Sequence, residues 1–204
     1  MREAGSIRAC SAILAALLAF CPAPAVAQDS VAADRVIVAA GEGSGNHGRI
    51  AINGAAGTGN QQLSSVVLAQ GNIASAAEAV RQAIVSAPGD RATTITIADG
   101  AFADNSGLVS INLTAGSHNQ SANLAILAIG TNGALSDQLL EQSRAAPEPN
   151  GGTAPGSVEA NDSVAIGDGA FRGGSGLIQV NLTGGERNSS ANAFSLSIRA
   201  EGRP

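Results

Sequence analysis

The chain has 204 residues and a formal net charge of −5, with 26 glycines, no tryptophan, no tyrosine and no lysine. An acidic balance without basic clusters, and without aromatic platforms for base stacking, argues against nucleic acid as a partner. So few large side chains are poor material for the jigsaw-packed core of an enzyme and point to cohesion through hydrogen-bonded backbone.

In chain order, residues 1–27 read as a signal peptide. Arg2 and Arg8 precede the apolar run "ACSAILAALLAFC", and Ala25 and Ala27 fit an A-x-A site, so cleavage is expected after Ala27. The run falls short of the roughly twenty residues a spanning helix needs, so no transmembrane segment is expected in the mature chain. Cys10 and Cys21 leave with the leader, and no thiol or disulfide remains.

Residues 28–71 hold the first and most degenerate of three repeats. Residues 72–92 are a spacer in which Ile73, Ala77, Val80 and Ile84 fall on one helical stripe, stopped near Pro88 and Gly89. Residues 93–130 hold the second repeat, introduced by a short strand at "TTITIA". The spacer 131–161 predicts a second short helix over 133–146, capped by Ser136 and ended by Pro147, then a flexible Pro/Gly linker over 147–157. Residues 162–200 hold the third repeat, with its own leading strand at "DSVAIG", and 201–204 form a tail.

The repeats share a frame of Gly, Asn, Gly and Asn at constant spacing: Gly48–Asn53–Gly57–Asn60, Gly107–Asn112–Gly116–Asn119 and Gly176–Asn181–Gly185–Asn188. A further Asn follows at Asn123 and Asn192, where the first repeat has Ser64. Before the turn, Val109, Ile111 and Leu113 alternate with Ser110, Asn112 and Thr114, and the third repeat alternates likewise. That period of two predicts half-buried strands. After the turn, "LAILAI" is apolar on both faces, as a strand buried on both sides would be. Each repeat therefore reads as strand–turn–strand. The fold class is all-β, a stack of such units (β-solenoid or cross-β) with short helical or disordered spacers.

If the units pile up at the interstrand spacing of about 4.8 Å, equivalent side chains lie above one another. A carboxamide both donates and accepts, so identical Asn residues in register can bond along the stack. Asn112 over Asn181 over Asn53 is one expected ladder; Asn119, Asn188 and Asn60 are another. The stack would have two open edges, and the outer repeats carry neither Pro nor Lys to blunt them.

Reactive groups are scarce. His47 and His118 lack metal-ligand spacing and read as turn residues. Asp99 and Asp168 recur in "DGAF" and read as Asp-Gly turns rather than an acid–base pair. "GEGSGNHG" (41–48) lacks the Lys-Ser/Thr ending of a phosphate loop. No catalytic, metal-binding or cofactor-binding residue is assigned, and no cofactor is expected.

The pattern G-h-x-h-N-x-x-x-G-x-x-N-x-x-x-N, in three imperfect copies joined by two spacers, resembles the Fap-type bacterial functional amyloid subunits and is distantly similar to curlin repeats. The resemblance implies passage through the periplasm and an outer-membrane export pore. It further implies self-assembly, with related fibre subunits as partners, into cell-surface cross-β fibres that support biofilm and adhesion. Asn53, Gly57, Asn60, Asn112, Gly116, Asn119, Asn123, Asn181, Gly185, Asn188 and Asn192 would be the stacking and turn residues. The alternative is a monomeric or trimeric β-solenoid adhesin or binding module, since "SVAIGDGAF" is similar to the head repeats of trimeric autotransporter adhesins. A periplasmic enzyme is the third reading.

Overall fold

The computed structural model describes residues 33–84, 91–144 and 161–199. The expected leader, Pro88 and Gly89, the linker 147–157 and the tail lie outside the described residues. Among those described there are nine strands and no helix. They are β1 (Asp34–Val38), β2 (His47–Ala56), β3 (Gln61–Ile84), β4 (Thr93–Ile97), β5 (Ser106–Ala115), β6 (Gln120–Arg144), β7 (Asp162–Ile166), β8 (Ser175–Thr183) and β9 (Ser189–Arg199).

Each sheet takes one strand from each repeat, all parallel: β1–β4–β7, β2–β5–β8 and β3–β6–β9. The three repeats are thus three rungs. The middle rung lies between the others, so the column through the strand asparagines runs Asn53–Asn112–Asn181, with Asn112 rather than Asn181 at the centre. The first rung also has a leading strand, β1, at "DRVIV", where sequence periodicity had placed one only before the later copies. A rung is consequently longer than strand–turn–strand.

β5 shows how alternation builds the layers. Val109, Ile111, Leu113 and Ala115 join Val38, Ile95, Ile97, Ala101 and Phe102 in one apolar core between the first two sheets. Ser110, Asn112 and Thr114 point the other way, toward the third sheet, and are equally buried. Each Ile or Leu withdrawn from water there contributes roughly 1.5–3 kcal/mol. Phe102 and Phe171, stacked with ring centroids 5.4 Å apart, close the core at the bend between sheets. One face of "LAILAI" is sealed, with Leu124, Ile126 and Ala128 in the interior; on the other Ala125 is buried but Leu127 and Ile129 are only half-buried, so the strand is not buried fully on both sides.

The spacers correct the helical expectation. Residues 73–84 continue β3 and pair residue by residue with 133–144 of β6, beyond a register shift between Gly71 and Ile73. The two halves of β3 face each other, for Gln61 Nε2 donates to the carbonyl of Ala83 (2.7 Å). Burial follows a period of two: Ala74, Ala76, Gln82 and Ile84 are buried while Ile73 is exposed. The proposed helical stripe is therefore split between two faces, and Ser136, the supposed cap, sits in mid-strand. The physical reason is tertiary. Helices this short are marginal alone, whereas the adjacent rung offers a full ladder of backbone bonds, which overrides Ala-rich propensity.

At the frame glycines a side chain would run into the neighbouring rung. Gly57, Gly116 and Gly185 have φ of +99°, +109° and +83°. A Cβ on Gly57 would lie 2.0 Å from the carbonyl oxygen of Gly116, and one on Gly116 would lie 1.9 Å from that of Gly185. Turn geometry and stacking both exclude a side chain.

Candidate stacking surface

The second and third sheets face each other across a seam of amides and hydroxyls. Asn112 Nδ2 donates to Asn53 Oδ1 (2.8 Å), and Asn181 Nδ2 donates to Asn112 Oδ1 (2.9 Å). This is the expected ladder, and every amide in it points the same way. Across the seam, Asn192 Nδ2 donates to Asn123 Oδ1 (3.0 Å), forming a second ladder on the facing strands. The two ladders are cross-linked. Asn181 Nδ2 also donates to Asn123 Oδ1 (3.1 Å), and Ser64, standing where later rungs have Asn, donates to Asn53 Oδ1 (3.1 Å). Asn112 and Asn123 are fully buried, and each also donates to a backbone carbonyl of the facing sheet: Leu63 for Asn112, Ile111 for Asn123. Satisfied amides are the form in which so polar an interior can be stable.

Asn60, Asn119 and Asn188 also form a column, but not the amide-to-amide ladder expected of them. Asn60 Nδ2 donates to the carbonyl of Gly116 (2.8 Å) while its Oδ1 accepts the backbone N–H of Asn119 (3.0 Å). Asn119 repeats this one rung on, donating to Gly185 O (2.8 Å) and accepting from Asn188 N–H (2.8 Å). The side chain thus clamps the next turn's backbone. Turn duty and stacking duty fall on one residue, because a side chain at a tight bend is nearer to the adjacent bend's peptide groups than to its amide.

Several residues outside the expected set contribute. Gln62 donates to Thr114 Oγ1 (2.7 Å), Gln179 to the carbonyl of Leu124 (3.0 Å), and Gln142 to Gln82 Oε1 (2.7 Å). Asn105 Oδ1 accepts from Asn46 N–H (2.7 Å) in the bend after the leading strands. Asn46 and Asn105 have the same 59-residue offset as Asn53 and Asn112, so extending the frame toward the N-terminus would have found them. The 60-residue offset of Gln82 and Gln142 falls outside that frame because of the register shift at Gly71.

Asp99 and His118 lie in turns as expected, whereas His47 is the first residue of β2. Asp99 Oδ1 accepts Gly169 N–H (3.1 Å) from the next rung. His118 occupies a left-handed position (φ 57°) over Gly59, and His47 Nδ1 contacts Ser106 Oγ (2.5 Å). No group of three or more His, Cys, Asp or Glu among the described residues is placed to hold a metal ion.

An all-parallel stack of related rungs, laced by amide ladders along its axis, is the architecture of a cross-β coil. Consistent with that class, the model of the functional amyloid protein FapB/FapC family matches residues 23–199. The chain belongs to this family, which is one of amyloid proteins rather than enzymes. No solved structure matches it.

Proposed function

We propose that the chain is an exported structural subunit that stacks head to tail into amyloid-like fibres on the bacterial surface, where they support biofilm or adhesion. The observation that carries this is the unstacked outer face of the first and third rungs, where, among the described residues, Asn181 Oδ1 is held only from within its own rung, by Ser190 Oγ (2.7 Å) and Asn192 Nδ2 (3.0 Å). The third rung of one copy can meet the first rung of the next as the rungs within a copy meet. Asn53 Nδ2 of the next copy would donate to Asn181 Oδ1, and Asn188 would clamp the next copy's Gly57–Asn60 turn. Val180 would lie on Ile52, Phe194 on Val66 and Leu196 on Leu68 of that copy, by the register that already relates rungs one and two. Phe171 would lie in one column with Gly43 of the next copy, as Phe102 lies in one column with Gly43 within the chain. Val164 and Ile166 on the third rung's edge are 49% and 53% exposed, while Ile95 and Ile97, which they stack on, are wholly buried in the middle rung; stacking would bury this apolar margin in the same way.

Signal-peptide cleavage after Ala27, passage through the periplasm and an outer-membrane pore, and related fibre subunits as partners complete this reading. The test is incubation of purified chain lacking residues 1–27, followed by fibre diffraction and seeded growth. Reflections near 4.8 and about 10 Å, with seeds abolishing the lag, are expected. A single mass on a sizing column at every concentration would instead favour the self-contained solenoid adhesin.

A further inference from the structure

The third sheet is unevenly filled. β6 pairs with β3 along both halves, but β9 pairs with β6 only from Gln120 to Gly130. Among the described residues, then, 133–144 of β6 has a strand on one side and an unpaired main-chain edge on the other. Beside that edge lies a floor made by one face of β9. Its columns hold Leu124 and Ile126 in the middle rung, where they are wholly buried, and Ala193 and Ser195 in the third, where they are exposed. Ser136 Oγ already meets Ser195 Oγ (2.7 Å) and Ser197 Oγ (2.8 Å), so the floor is flat, small and polar. No proline or lysine guards the edge.

The side chains of the edge specify what would pair with it. On the inner face, Gln142 extends a ladder from Gln82 that a further amide would continue, and Gln138 Nε2 is buried with no hydrogen-bond partner among the described residues. On the outer face, Glu141 is paired with Arg81 (2.9 Å), but Asp137 stands opposite Ala77 and has no cation across the pair. Leu135 and Leu139 flank it, 64% and 65% exposed.

We propose that residues 133–144 are an acceptor edge for an extended strand of another polypeptide. That strand runs parallel to β6, with amide side chains beside Gln138 and Gln142, small residues over Ser195 and Ser197, and a basic residue beside Asp137. Strand addition of this kind draws affinity from main-chain bonds and selectivity from alternate side chains. The inference stands on the pairing of β3, β6 and β9 within one chain and does not require the fibre. In a head-to-tail stack the same site becomes a slot one strand wide, bounded on its far side by residues 73–84 of the next copy.

The test uses the dispersed chain and a short synthetic peptide with Ser, Gln, Val and Gln on one face and Thr, Lys, Leu and Thr on the other, against a control peptide with Glu in place of Lys. Hydrogen exchange followed by mass spectrometry should show the Lys peptide slowing exchange in 133–144 by about tenfold while leaving 73–84 unchanged. Asp137→Lys, a change at an exposed position, should weaken the Lys peptide by roughly threefold and strengthen the Glu peptide similarly. The proposal fails if saturating Lys peptide leaves 133–144 unprotected, or if both peptides protect it equally in both variants. It also fails if that segment of the free chain is already as protected as 120–130, since the edge would then be occupied. Fibre growth, or its absence, changes none of these outcomes.

Discussion

Asn112 is held by four polar neighbours: Asn53, Leu63 O, Ser64 and Asn181. Aspartate there keeps the shape but loses the donor and buries a charge among acceptors. Asn112→Asp should therefore destabilise the rungs by about 3–5 kcal/mol, measurable as a shift in the denaturant midpoint. Paired with Asn181→Asp it should abolish fibre growth in a seeded assay; growth at the parental rate would refute the ladder as the source of cohesion. Gly116→Ala tests the close approach directly. With φ of +109° and a backbone oxygen 1.9 Å from the new Cβ, it should cost well over about 1 kcal/mol, more than Gly133→Ala, where nothing lies within 4 Å. Phe102→Ala removes one of the largest side chains from a chain with few, and a loss of about 3–5 kcal/mol in chemical denaturation is expected. At this scale the sequence was readable wherever a residue type recurred at constant offset. What escaped was the clamp at Asn60 and Asn119, because spacing reports which residues lie together but not whether an amide meets another amide or a peptide group.

Among the elements, alternation in β5 and β8 and the turn glycines between sheets were legible because one face of each strand is apolar and the other polar. The second halves of β3 and β6 were not. "ASAAEAVRQA" is as good a helix on local grounds as many real ones, and what makes it a strand lies sixty residues away. The leading strands carry a further consequence for assembly. Thr93 stands between Asp34 and Asp162 in their column, donates to Asp162 Oδ1 (2.5 Å) and so keeps the two carboxylates, two rungs apart, out of contact, while Arg91 pairs with Asp34 (3.1 Å). No threonine intervenes between copies, where Asp162 would face Asp34 of the next. Asp162→Asn should accordingly speed elongation by up to about fivefold, read from thioflavin kinetics at fixed seed mass; unchanged or slower elongation would remove this column from the contact.

For the whole molecule, the general architecture followed from composition and repetition: few reactive groups, many glycines and matched asparagines leave stacked backbone as the main source of cohesion. The order of the rungs and the return of the second half of β3 onto its first half did not follow, since both depend on where the segments between repeats run. The gradient of burial, from exposed outer rungs to a sealed middle one, shows that three rungs only partly shelter their own interior. Joining copies would give every rung the surroundings that β5 has now, so fibres should resist denaturant concentrations that fully unfold the dispersed chain.

The common direction of the asparagine amides makes the molecule an arrow. One terminus of any filament built from it would display donors and the other acceptors, so the two tips are chemically different and need not lengthen at the same speed. Time-lapse imaging of single filaments should reveal a fast tip and a slow one. A fragment carrying only the first rung should stall the tip that displays Asn181 and leave its opposite free.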